Sequence, residues 1–259
     1  RLQSRYSSNH DGDNRVVGLP GPAIVALGGA NPQYLNGIGA DRIAGLNEEG
    51  RYATFANPTQ ANLGALALAE INPSAVEREV RVDLQLERGK QRKLQVVDPE
   101  GKPVINASVS GLTPRANYSP QDHFLPLMTV VALAPGEQRT VLVQHHRRGL
   151  AARTEIDAAR SEMEVVKLRK AATISGRLVD VNGAVVRARI EAVTTLKRNQ
   201  VRLDESPTDK TGTFQLTGLP DGVPLQLRLQ GANGRLPAPA REVTTVAGKA
   251  IDLGTLIVR

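Results

Sequence analysis

Four histidines are the residues best suited to acid–base or metal chemistry in this chain: His10, His123, His145 and His146. His145 and His146 are neighbours, so on a strand they leave opposite faces and cannot share a metal ion. No H-x-H or H-E-x-x-H spacing occurs, and the histidines read as surface or edge residues. Asp11-Gly12-Asp13-Asn14 gathers oxygen ligands in a loop, as calcium sites do. No Glu completes an EF-hand loop there, and Asp-Gly clusters form ordinary turns. The chain has no cysteine, which removes disulfides, thiolate zinc sites and thiol nucleophiles. No G-x-S-x-G elbow presents a serine, and Glu48-Glu49 sits in a polar stretch suited to a solvated turn. One basic group remains: Arg139, His145, Arg147 and Arg148. Its charge density suits an anionic partner such as a phosphate or a polysaccharide. The expectation is no catalytic residue, no cofactor and no metal, with this group as the ligand-binding candidate.

Bulk composition narrows the classes further. At 259 residues and 40% hydrophobic content, the chain can hold two or three small domains with their own cores. Three Phe, four Tyr and no Trp mean that Leu, Val, Ile and Ala build those cores. The same scarcity weighs against sugar platforms and single-stranded nucleic-acid surfaces, which stack ligands on rings. The net charge of +7 is spread along the chain, with local runs only at Arg88–Lys93 and His145–Arg148. A solvated basic surface is the reading, and nucleic acid is not an expected partner. No apolar run approaches the ~20 residues that span a bilayer, and no secretory leader opens the chain. A membrane would enter only through a segment outside this sequence.

The elements that must hold these residues are strands. Thr208–Gly222 shows the unit most clearly. A polar turn, Asp209–Gly212, leads into a strand with Phe214 and Leu216 on one side and Thr213, Gln215 and Thr217 on the other. Gly218–Gly222 then turns the chain into Leu225–Leu229. Period two bounded by Gly and Pro predicts a β-hairpin with one buried face. The pattern returns as Leu127–Leu133, the turn Ala134–Glu137, and Thr140–His145, which carries the basic group at its end. Strands are also expected at Leu94–Val97, Ala107–Leu112, Ile174–Val179, Val185–Val193 and Ile251–Val258. Asp-x-x-Gly turns are expected at Asp98–Gly101 and Asp180–Gly183. Thr113–Asp122 reads as a polar loop. Leu63–Ile71 is a short helix or a buried strand: Ala and Leu favour helix, Gly64 and the short length do not. Val80–Leu86 alternates strictly and reads as a half-exposed strand closing the first unit. The strand-borne charges Arg81, Arg177 and Arg228 are expected to protect sheet edges.

About eighty residues separate the two Asp-x-x-Gly turns, too long for a solenoid repeat and the size of a compact β domain. The division expected is 1–86, with an insertion over 28–75, then 87–168, then 169–259. His10–Leu27 can be laid over Asp209–Leu227, with Gly18-Leu19-Pro20-Gly21 on Gly218–Gly222. The chain therefore reads as starting inside a repeat, a fragment or processed piece of a longer protein.

Gly176-Arg177-Leu178-Val179-Asp180-Val181-Asn182-Gly183, then Ala188, then Thr208–Phe214, then Gly218–Gly222 resembles the carboxypeptidase regulatory-like domain. That family carries G-x-V-x-D-x-x-G-x-P-x-x-G-A-x-V, then T-D-x-x-G-x-F, then an L-P-x-G-x-Y turn. The match is good over 172–259. It is moderate over 87–168, where Asp98, Gly101, Pro103, Ala107 and Pro135-Gly136 fit and the T-D-x-x-G-x-F turn is missing. It is partial over 1–86. Val185 stands where the family favours Pro, and Leu225 where it favours Tyr; both are turn or packing positions. The resemblance implies tandem transthyretin-like (prealbumin-like) Greek-key β-sandwiches, all-β, the first truncated or divergent. It also implies an accessory module of exported bacterial proteins, extracytoplasmic in location, with no active site to carry over.

The function expected is therefore a non-catalytic structural or protein-interaction module of a larger exported or membrane-anchored bacterial protein. Its partners would be proteins or other domains of the parent chain. The alternative is a cell-surface module binding carbohydrate or another anionic polymer, which should bring Tyr34, Tyr52 and Tyr118 together on one face. An enzyme with its site in the 28–75 insertion is the remaining reading, and would need titratable groups converging in a pocket.

Overall fold

The computed structural model describes residues 20–28, 32–43, 65–114, 120–160, 162–197, 199–231, 234–236 and 242–258. The chain is all-β and divides into two compact units, residues 1–87 and 88–259.

In the first unit, β1 (Ala23–Gly28) pairs antiparallel with β2 (Ala65–Ile71). On the other side of β2, Leu68 donates its N–H to Ile38 O at 2.8 Å, and Ile38 donates to Leu66 O at 3.1 Å. Ala65–Leu68 are all buried. A strand flanked on both sides reads as a continuous apolar run, and that settles the segment as strand rather than helix. Val80–Leu86 belongs to no strand, against expectation. Alternation specifies an extended conformation, whereas a strand also needs a neighbour to pair with.

The second unit holds two sandwiches. The strands of the first are β3 (Lys90–Val97), β4 (Ala107–Ser110), β5 (Gln121–His123), β6 (Leu127–Leu133), β7 (Gln138–His145), β8 (Leu150–Asp157), β9 (Glu164–Lys167) and β10 (Arg169–Lys170). They form one sheet ordered β6-β3-β9 and another ordered β10-β8-β7-β4-β5. Leu94, Val96, Met128, Val130 and Val166 from one sheet meet Ala107, Val109, Val141, Val143 and Ile156 from the other. The second sandwich has β11 (Ala172–Asp180), β12 (Arg189–Leu196), β13 (Asn199–Pro207), β14 (Thr213–Leu219), β15 (Pro224–Gly231), β16 (Gly234–Leu236), β17 (Glu242–Thr244) and β18 (Ala250–Val258). Its sheets are β14-β11-β18 and β13-β12-β15-β16, with β17 also on β15. Ile174, Leu178, Phe214, Leu216 and Leu256 face Ile190, Ala192, Leu225, Leu227 and Leu229. Each fully buried Leu or Ile contributes about 1.5–3 kcal/mol, so cores without Trp suffice.

The wiring of the two is the same. β3 lies between an antiparallel β6 and a parallel β9, and β11 lies between an antiparallel β14 and a parallel β18. Strands distant in sequence are sheet neighbours, the Greek-key arrangement. This corrects the hairpin expected at Phe214–Leu229. β14 and β15 lie in opposite sheets, as do β6 and β7. The Gly218–Gly222 and Ala134–Glu137 turns arch over the core instead of joining neighbours. Period two and a Gly-Pro corner specify strand, turn and strand; they do not say whether the second strand pairs or crosses.

Three turns are copies of one device. The Oδ1 atoms of Asp98, Asp180 and Asp209 each accept the N–H groups two and four residues on, at 2.8–3.0 Å. Gly101, Gly183 and Gly212 supply φ of 83°, 81° and 82°, the left-handed backbone that Gly adopts without steric cost. Strand limits shift slightly from expectation. β12 begins at Arg189, and Val185 makes only a bridge to Val179. Several strands were unmarked in the sequence, among them β5, which overlaps the end of the expected polar loop, β8 and β13.

Candidate functional site

The candidate basic group is dispersed by β7. Arg139 and His145 are six residues apart on one strand, about 20 Å at ~3.3 Å per residue. Arg139 is buried, and its guanidinium is fully engaged. Nε donates to Glu137 Oε1 at 2.8 Å, Nη1 to Val131 O at 2.6 Å, and Nη2 to Ala132 O at 2.7 Å. Ala132 has φ of 52° at an irregularity in the β3–β6 register, so Arg139 holds the carbonyls of a bulge. His145 Nδ1 accepts the Arg148 N–H at 3.3 Å and caps the short turn His146–Arg148. Arg148 Nη2 donates to Asp98 Oδ2 at 2.9 Å. That bond, with the Lys102 N–H, holds the Asp98 carboxyl below its usual range. Arg147 is exposed. The structure thus gathers His145, Arg147 and Arg148 on one turn and leaves Arg139 at the far end of the strand.

Other candidates separate as well. His10, Asp11–Asn14, Glu48-Glu49, Tyr52 and Tyr118 lie outside the described residues. His123 stands on β5 with Nε2 buried and unpartnered. Burial pushes its pKa down, while the Asp122 carboxylate pulls it up. Among the described residues no three His, Asp or Glu side chains gather as a metal site.

The most developed polar constellation of this unit is one that sequence reasoning missed: the joint between its two sandwiches. The outer face of β7 carries Leu142 and Gln144 at alternate positions. Leu142, 1% exposed, packs into the core cluster of the second sandwich. Gln144, also 1% exposed, donates from Nε2 to Leu203 O at 3.1 Å and to Gly218 O at 2.8 Å. Both protons of one buried amide are therefore spent on carbonyls of β13 and β14. Arg153 on β8 donates from Nη1 to Gly222 O at 2.7 Å. The His146 imidazole lies against Gly218: a Cβ there would sit 2.6 Å from Nδ1, and Gly218 has φ of 67°. The connecting chain is pinned too, with Ala171 N–H to Gly149 O and Gly248 N–H to Lys170 O, both 2.8 Å.

Charge is arranged around the joint. Lys197 of the second sandwich pairs with Glu137 of the first. Burial pushes the Glu137 carboxyl up, but hydrogen bonds from Arg139, Lys197 and the Ala134 N–H outweigh it, so the pKa falls below the ordinary value. Asp204 goes the other way. Burial raises its pKa despite the Thr217 N–H, which Oδ2 accepts at 2.6 Å, and despite the nearby His146. These groups are spent on packing and hydrogen bonds across the joint. They seal two edge strands of one sandwich against a sheet face of the other. The signal available in the sequence was the apolar-amide pair Leu142 and Gln144 on the side of β7 that a lone sandwich would leave to solvent.

No known family profile matches this chain, and no curated protein does. Solved structures similar to it include the shaft pilin SpaA from Lactobacillus rhamnosus GG, at 10% identity over 65% of this chain and 96% of that one, TM-score 0.25. GBS52, the minor pilin of Streptococcus agalactiae, matches at 10% identity over 65% and 96%, TM-score 0.29. BcpA, the major pilin subunit of Bacillus cereus, matches at 11% identity over 54% and 44%, TM-score 0.24.

Proposed function

We propose that the chain is a non-catalytic structural module of a larger exported or membrane-anchored bacterial protein. Its tandem sandwiches, at 87–168 and 169–259, resemble carboxypeptidase regulatory-like domains and act as a rigid spacer, with residues 1–86 as a divergent first module. The observation that carries this reading is the joint. A flexible tether needs no buried Gln144 spanning two carbonyls and no Leu142 inside the neighbouring core. Burying such polar groups is favourable only when their partners are fixed. The extracytoplasmic setting and a protein partner follow from the family resemblance.

The absence of cysteine allows a direct test. Spin labels at Lys102→Cys and Lys210→Cys, one in an Asp-x-x-Gly turn of each sandwich, should give a single narrow distance distribution in the full chain. A broad distribution would reject the spacer. A second reading, retention of an anionic polysaccharide, rests on exposed Arg147 and the +7 net charge. It requires salt-dependent retention on an anionic matrix that weakens in Arg147→Ala.

A further inference from the structure

The two sandwiches share their wiring but differ at one edge. In the second, β14 is an edge strand of its sheet, and the N–H groups its pleat turns outward are taken up in succession. Thr213 donates to Asp209 Oδ1 at 2.9 Å, Gln215 to Ser206 Oγ at 3.4 Å, and Thr217 to Asp204 Oδ2 at 2.6 Å. The Gly218 carbonyl accepts from Gln144. The edge is closed to any further strand.

β6 is the counterpart in the first sandwich, and among the described residues its outer side carries no partner strand. Val131 gives its N–H to Leu112 O at 2.9 Å, away from β3. Alternation along a strand then turns the N–H groups of Thr129 and Leu127 the same way. β6 pairs only with β3, and among the described residues nothing accepts from Thr129 or Leu127 on that side. The reason is local. β5 has three residues where β13 has nine, and its Asp122, which stands opposite Ser108 as Ser206 stands opposite Ile190, accepts from the Ser108 hydroxyl and not from β6.

The surface beside this edge is apolar and basic. Phe124 is 77% exposed, Leu125 69%, Leu127 47% and Val165 52%. Gln95 links Leu127 to Val165 in one cross-strand row. Lys93 and Lys167 flank that row, both exposed and without an ion pair among the described residues. The face positions of the sheet along β6, β3 and β9, namely Leu127, Thr129, Lys93, Gln95, Val165 and Lys167, include no carboxylate.

We propose that the β6 edge is a docking site for an extended segment of another protein, alternating apolar and acidic residues, which adds to the β6-β3-β9 sheet as a fourth strand. Backbone groups of Leu127 and Thr129 would supply the pairing, and alternate side chains the selectivity. The apolar positions meet Leu127 and its neighbours. The acidic ones answer Lys93 and Lys167, which lie within about two strand spacings of the edge. A second copy of the chain is the poorer occupant, because the carboxylates of its edge strand β13 are engaged by Thr217 and Arg202. The site does not depend on whether the joint is rigid.

The test uses the full chain and two blocked peptides, one alternating Val with Glu and one alternating Val with Lys. The Val–Glu peptide should bind and shift the backbone amide resonances of Leu127 and Thr129. Affinity should fall by about tenfold or more in the Lys93→Glu, Lys167→Glu double variant. Binding should be lost in Thr129→Pro, which removes an outward N–H at an edge that tolerates proline. Leu127→Asp, at an exposed position, should lose it too and covers the case in which the proline variant misfolds. Equal binding of the Val–Lys peptide, or wild-type binding by Leu127→Asp, overturns the proposal. So does self-association without peptide that Leu127→Asp abolishes, which assigns the edge to a second copy.

Discussion

Arg92 is the residue least at home in its surroundings. It lies six positions before Asp98, as Ile174 lies six before Asp180, and both point into a core. Arg92 is 4% exposed, and its Nε and Nη1 have no partner. An unsatisfied buried polar group costs about 1–3 kcal/mol. Arg92→Ile should therefore raise stability by about that amount in chemical denaturation, and a loss would show that the guanidinium is bound. Glu137 supplies a pH-dependent prediction. Its folded pKa lies below the unfolded value, so the ionised form stabilises the fold. That contribution is present above the unfolded pKa and disappears as pH falls through the folded one. Glu137→Gln should be less stable than wild type at pH 7 and should converge with it in acid. Asp204 has the opposite sign, because its raised folded pKa makes the ionised form unfavourable. The penalty applies above the folded pKa and lifts as pH falls toward the unfolded one. Asp204→Asn should flatten the stability profile across the weakly acid range.

At the scale of elements, the edges are managed differently from what the charges suggested. Arg81 is on no strand, Arg177 is on the central β11, and β15, which bears Arg228, is paired on both sides. None of these can guard an edge. Asp204, Ser206 and Asp209 do so at β14, by accepting hydrogen bonds rather than by repulsion. The exit of the chain from β4 also rests on a single residue. Gly111 has φ of 94°, and a Cβ there would lie 2.3 Å from Thr140 O. Because backbone faces backbone, neither can give way. Gly111→Ala should cost about 2 kcal/mol or more, read from denaturation midpoints. β5 escaped notice because three polar residues carry no period. β13 escaped because the register irregularity opposite Ala192/Val193 breaks its alternation at Leu203 and Asp204.

For the unit spanning 88–259, the joint converts two like-wired sandwiches into one body. Gln144→Ala would leave the Leu203 and Gly218 carbonyls without their donor. Spin-label distances between the two Asp-x-x-Gly turns should then broaden, while each sandwich keeps its own fold by circular dichroism. An unchanged distribution would mean that Leu142 and the pinned connection hold the joint without the amide. The basic group at Arg139, His145, Arg147 and Arg148 shows the limit of reading charge along a line. Residues close in sequence on one strand can stand far apart, and Arg139 is bound within its own core.

Local physics wrote much of this protein into its sequence. Period two marked many of the strands, though not β8 or β13, and the Asp-x-x-Gly corners marked turns that the backbone reproduces three times with nearly the same φ. The apolar residues of those strands are the ones that fill the cores. Tertiary structure alone decided which strands pair and which cross, because a Gly-Pro corner serves either path. It alone decided that Arg92 and Gln144 would be buried. Both depend on what faces a side chain across a gap, and that partner lies many residues away along the chain.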